Sequence, residues 1–174
     1  MKSLEAMVAK LKRVTDNLEN IKEEIGRQLI NQGWDEAHSI LADHIFDGDT
    51  INSLTAERGK KSKREQTFEL YIESPAALFV EFGSGILGKG HPKAADLGMG
   101  SGTFPGQTHA LDPNGWWFET EDPRLIVYTN PKTGKSYGHS YGNVPVMPMY
   151  SAMRKIRQSI PMTAAKVTLE YTDD

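Results

Sequence analysis

The segment Ala77–Pro92, ALFVEFGSGILGKGHP, is the stretch on which the reading of the fold turns. An apolar run ends at Phe82, glycines follow at 83, 85, 88 and 90, and a long irregular stretch comes after them. Ala76–Phe82 fits a short helix, with Ser74 as N-cap and Pro75 at the first helical position, and it fits a strand equally well. Leu78, Phe79 and Phe82 are the core candidates. Gly83, Gly85 and Gly88 match G-x-G-x-x-G, and Gly83–Lys89 matches the first seven positions of a P-loop. Both motifs hold phosphate by curling backbone around its oxygens and aiming the N-terminus of a following helix at them. Here Gly90 stands where a P-loop needs Ser or Thr, and Pro92 pushes His91 away from helical backbone. The competing reading is a structural turn, in which the glycines supply positive φ and close backbone approach. The expectation is therefore a turn with no nucleotide and no cofactor.

Working outward, 174 residues suit one domain, 1–174, with enough chain for a real core. A net charge of −3 argues against a dedicated nucleic-acid binder. The chain has no cysteine, which excludes disulfides, thiol catalysis and zinc–thiolate sites. No run approaches the ~20 apolar residues of a membrane span. Met1–Lys12 lacks the apolar core of a signal peptide, so the expected location is a cytoplasm.

Leu4, Met7, Leu11, Val14, Leu18, Ile21, Ile25 and Leu29 alternate by three and four, a heptad-like stripe that predicts a helix over 1–33. Ser3 can cap it, Glu5 suits its first turn, and Gly33 fits the position just past its end. A narrow stripe can pack on the chain's own sheet or on another chain, and the heptads alone fit both. Trp34, Ala37, Leu41 and Ile45 predict a second, short helix that ends before Phe46-Asp47-Gly48-Asp49. His38 and His44, with Asp35 and Asp43 nearby, lack the spacing of a metal-binding helix and read as surface or half-buried histidines.

Thr50–Glu57 and Gln66–Glu73 predict a hairpin over 50–73. Phe68, Leu70 and Ile72 lie on its apolar face. Five of the seven tip residues, Arg58–Arg64, are basic. Such a tip is either a solvated loop that keeps an edge soluble or, repeated around a ring, a positive collar. Lys60, Lys61, Lys63 and Arg64 are the residues that would face passing DNA. The loop 83–113 has almost no periodicity. It contains His91, Asp96, His109 and Asp112, but no motif context turns them into a hydrolase, and no catalytic or metal residue is assigned. Trp116–Phe118 and Arg124–Thr129 predict strands, with a turn at Asn130–Gly134. Pro148 can open a helix over 148–160, with Met149, Met153, Ile156 and Ile160 on one face. Pro161 marks its stop, and the alternation Val167, Leu169, Tyr171 predicts a last strand.

Four features in order carry a resemblance: the long amphipathic helix, FVEFGSGILGKGHPKAADLGMGSG, GWWF, and YGNVPVMPMYSAMRKIR. Together they resemble the tail-component family of long-tailed bacteriophages, which supplies tail-completion and head–tail joining proteins of the virion neck. Its most specific marks are the "EFG-small-G" piece and the run with Asn143, Pro145, Met147, Pro148, Met149 and Tyr150. The resemblance covers about Leu78–Ile160. It implies an α+β fold, a small, mostly antiparallel sheet with the N- and C-terminal helices packed on it. It also implies a structural virion protein, assembled in a bacterial cytoplasm into a ring, commonly a hexamer, between tail tube and head connector. On that basis Gly83, Gly85, Ile86, Leu87, Asn143, Pro145, Met147 and Tyr150 are the expected subunit or partner contacts. A minor capsid or assembly protein is the alternative. A nucleotide-binding or His/Asp hydrolytic enzyme is the less supported one.

Overall fold

The computed structural model describes residues 2–44, 48–62 and 65–173. The expected Ser3 cap, the Ile45 end of the second stripe, and the basic-tip residues Lys63 and Arg64 lie outside the described residues and side chains.

The N-terminal stripe forms helix α1 (Lys2–Asp16) and helix α2 (Leu18–His44). The helical hydrogen bonding carries through the join: Asn17 N–H donates to the Arg13 carbonyl and Ile21 N–H to the Asn17 carbonyl. The Asn17 side chain also donates to the Arg13 carbonyl, a local competition that marks the hitch. Gly33 does not end this helix, and the expected second helix is its continuation. Helix α5 (Pro148–Asp173) crosses α2 at that glycine, where a Cβ would lie 2.5 Å from Ile156 Cδ1. The residue read as a terminator is a contact point between two helices, a role visible only once the partner is known.

Helix α5 runs straight through Pro161, and the expected strand over 165–171 is helix. Proline in a helix interior costs about 3 kcal/mol. Burial of Thr163, Val167 and Thr172 offsets it. Those positions recur by four and five, while Leu169, on which the period-two reading depended, is exposed. Gln32 Nε2 donates to Thr163 Oγ1 at 3.2 Å, and Arg13 Nη1 donates to the Thr172 carbonyl at 3.0 Å, so α5 ends against α1.

A short helix α3 (Gly48–Asn52) takes the start of the expected first strand, which begins instead at Leu54. Strand β1 (Leu54–Lys61) pairs antiparallel with β2 (Gln66–Ile72), Leu54 opposite Ile72, with an irregularity between Arg58 and Lys61. Phe68 packs on Gly26 of α2, and the Trp34 indole donates to the Leu54 carbonyl at 3.1 Å. Residues 1–74 and 148–174 make one compact unit, and residues 75–147 make another.

The second unit holds helix α4 (Ala77–Phe82), strand β3 (Ser84–Gly85), β4 (Trp116–Glu119), β5 (Tyr128–Thr129), β6 (Ser136–Ser140) and β7 (Gly142–Asn143). β3 pairs with β7, and β4, β6 and β5 form a three-stranded antiparallel sheet in that order. Val80, Phe82, Phe104 and Ala110 are its core, with Phe104 set edge-on to Phe79 at 5.2 Å. The protein is thus α+β, with its sheet content divided among three small antiparallel sheets. Of the expected strand 124–129, only Val127–Thr129 bonds to β6, because Asp122 folds the preceding residues into a turn.

The Gly33 crossing gives the first prediction. Gly33→Leu lowers stability by about 1–3 kcal/mol through overpacking. Adding Ile156→Ala returns part of that loss, read as non-additive urea midpoints.

Candidate functional site

Helix α4 is a segment of six residues, with Ala76 in the N-cap position. The expected cap, Ser74, instead bonds the hydroxyl of buried Thr50 at 2.7 Å. At the other end, Gly83 has φ 74° and donates its N–H to the Phe79 carbonyl at 2.9 Å. The chain then crosses the 141–145 segment with no room for side chains. A Cβ on Gly83 would sit 2.6 Å from the Asn143 carbonyl oxygen, and Cβ atoms on Gly85 and Gly142 would overlap the backbones of Tyr141 and Ser84. The glycines therefore serve close backbone approach inside their own unit. No helix opens after Lys89, and residues 92–98 form turns.

The Asn143–Met147 run completes this junction. A helix leaves its last carbonyls without partners. Asn143 Nδ2 donates to the Phe79 carbonyl at 2.8 Å, and Val146 N–H donates to the Val80 carbonyl at 2.8 Å. The Ser84 hydroxyl donates to Asn143 Oδ1. Ser101 Oγ donates to the Gly85 carbonyl at 2.6 Å, Gln107 Nε2 donates to the Gly83 carbonyl, and Gly102 N–H donates to Gln107 Oε1. Long-range hydrogen bonds of this kind leave no periodic signal, and the sequence reading missed Ser101 and Gln107. Met147 is the only non-glycine with positive φ among the described residues, at 63°.

The reading also missed Glu81. Its carboxylate is buried and accepts from His91 Nε2 at 3.0 Å, while His91 Nδ1 accepts from Lys93 N–H at 3.1 Å. With Nδ1 accepting, the ring proton sits on Nε2 and points at Glu81. The Phe82 ring lies 4.5 Å from the imidazole. A single acid between Val80 and Phe82 was the available signal.

The side chains that a His91/Asp96 or His109/Asp112 hydrolase would use are engaged elsewhere among the described residues. Asp96 binds Lys93 at 2.6 Å in solvent, and His109 stacks on Trp116 while Asp112 caps the Asn114 N–H. His38 stacks on Trp34, and His44 Nδ1 lies 3.0 Å from the Ile40 carbonyl. No group of three metal-ligating side chains occurs among the described residues, and no described helix is long and apolar enough to cross a membrane.

The expected contact residues divide by exposure. Gly83, Gly85 and Pro145 are buried, Ile86, Asn143, Met147 and Tyr150 are half-buried, and Leu87 is exposed. In the hairpin, Lys60 is exposed, while Arg58 and Lys61 pair with Glu23 of α2 at 2.8 and 2.9 Å. These ion pairs draw Glu23 below the usual carboxylate range, Lys61 first, so Lys61 already has an acidic partner.

Among the described residues, two of the exposed apolar surfaces are runs close in sequence. Every residue from Leu4 to Arg13 is exposed, including Leu4 (64 %), Met7 (58 %), Val8 (58 %) and Leu11 (60 %). The second is Leu125–Tyr128, all exposed, beyond the turn that Asp122 builds. Asp122 is held down at about 2, first by the Arg124 side chain and then by the Arg124 N–H.

Comparison with protein-family models, with curated proteins and with solved structures finds no match.

Two predictions belong to this unit. His91→Ala lowers stability by about 1–3 kcal/mol by removing a donor to a buried carboxylate. Glu81→Gln then costs less in the His91→Ala background than alone, which a double-mutant cycle reads directly. The Asp122 turn has a depressed folded pKa, so its contribution is present above the ordinary carboxylate value and lost as pH falls through about 2. Amide resonances of residues 122–126 should hold their positions down to about pH 4 and shift below it.

Proposed function

We propose that this chain is a structural subunit of a multi-subunit ring in the bacteriophage neck. The ring completes the tail tube and joins it to the head connector while DNA passes through. The observation that carries the multi-subunit part is the bare stripe of α1. Burying each such Leu, Met or Val side chain stabilises by roughly 1.5–3 kcal/mol, and contiguous exposed apolar patches of this kind mark interaction surfaces. The exposed Leu125–Tyr128 segment supplies a second such surface. The placement in the neck, the hexameric count and the tube and connector as partners come from the resemblance at Leu78–Ile160. The pairing of the FVEFGSG piece with the Asn143–Val146 run supports that resemblance, since Val146 N–H partners the Val80 carbonyl at the end of α4 and Asn143 adds a second donor to that of Phe79. Of the described basic-tip residues, Lys60 is exposed while Arg58 and Lys61 pair with Glu23, which supports Lys60 as the one to face passing DNA.

Native mass spectrometry and electron microscopy of the purified protein, alone and with the tail-tube protein, test this reading. The expected result is a closed ring of one discrete mass that caps the tube. A monomer at every concentration, with or without the tube protein, rejects it.

A further inference from the structure

We infer that α1 of one copy seats in an apolar groove on the first unit of the next copy, so that the ring is built head to tail. The inference rests on the multi-subunit reading above and names its contact. Leu4, Met7, Val8 and Leu11 stand at i, i+3, i+4 and i+7, the spacing by which an amphipathic helix fills a groove. The unit that carries α1 also carries such a groove. It has a volume of about 550 Å³ and is lined by Leu29 and Ile30 of α2, Phe68 of β2, and Met149, Met153 and Ile156 of α5. Methionines let such a surface adapt to an incoming helix.

The chain's own α1 does not reach this groove. It meets α5 at Thr172, through Arg13, whereas the groove lies at Met149–Ile156. Sixteen residues separate Ile156 from Thr172, about 24 Å along a helix. The stripe and the groove are thus separate surfaces of one unit, and their match is satisfied between copies. Charge agrees with this pairing. Glu69 borders the groove, and with Glu57 and Glu73 it surrounds Tyr71, whose phenol is pushed up by burial first and then by these carboxylates. Lys10 and Lys12 flank the stripe on α1, which has Glu5 as its counterpart acid there. A contact between two different surfaces is heterologous and closes into a ring when its rotation closes.

The test uses Leu11→Glu on the stripe and Met153→Glu in the groove. Both positions are exposed, and unchanged circular dichroism with cooperative unfolding establishes that each variant folds. Each variant alone should lose self-association by about tenfold or more, as for a central contact residue. Mixed in equal amounts, they should form a dimer and nothing larger, because the mixture contains one intact stripe facing one intact groove. Variants that assemble like the parent chain overturn the docking while leaving the multi-subunit reading in place. Variants that are monomeric alone and remain monomeric when mixed also overturn it. A parent chain that is itself monomeric at all concentrations removes both.

Discussion

Ile156 of α5 lies against Gly33 of α2 with no space between them for a side chain, and the rest of the first unit follows from that register. It sets Thr163 beside Gln32 and brings the last turn of α5 to Arg13. Ile21, Ala37 and Leu41 are buried along the same helix, and the β1–β2 hairpin closes over it through Phe68 at Gly26. The stripe that begins at Leu4 is continuous in sequence, but Val14 is only half-buried, Leu18 is still exposed, and the stripe is covered only from Ile21 onward. A helix of this length gains most of its stability from the face it packs. The uncovered turns therefore require either another partner or a tolerance for exposed leucine and methionine that single soluble chains rarely show.

The second unit depends on a different economy of space. Its chain turns at Gly83 against the Asn143–Pro145 backbone and crosses Tyr141–Gly142 at Gly85, and hydrogen bonds from Asn143 and Val146 reach the end of α4. This explains why a glycine-rich stretch that looks like a phosphate loop leads to turns in place of a helix. Asn143 and Pro145, some sixty residues downstream, are the backbone and side-chain partners that this turn packs against. The Glu81–His91 pair is the polar element of that core, with the imidazole held on both sides.

Local patterning made the helices legible, because heptad spacing in 4–29 and the Met149–Ile156 face are short-range signals. The hairpin was legible for the same reason, since Phe68, Leu70 and Ile72 alternate. Errors came where tertiary packing outweighed a local rule. Gly33 and Pro161 are helix stops by propensity, yet each lies inside a helix held by its neighbour. Val167, Leu169 and Tyr171 alternate by chance within a helical pattern whose buried positions are 163, 167 and 172. Arg124–Ile126 has strand composition, but the Asp122 turn bends it away, and bonding to β6 starts only at Val127. Of the candidate site, the close glycine crossing was readable from residue type. Glu81, Ser101 and Gln107 were not, because each acts through a partner at a distance that composition does not encode.

On the proposed docking, the first three turns of the long helix are covered by a second copy of the chain. Hydrogen–deuterium exchange along α1, followed from dilute to concentrated protein, measures this most directly. If a second copy covers α1, amides of residues 4–13 become protected as concentration rises, while those of α2 and α5 are protected throughout. Exchange over 4–13 that stays fast at every concentration, in protein whose α2 and α5 remain protected, would contradict it.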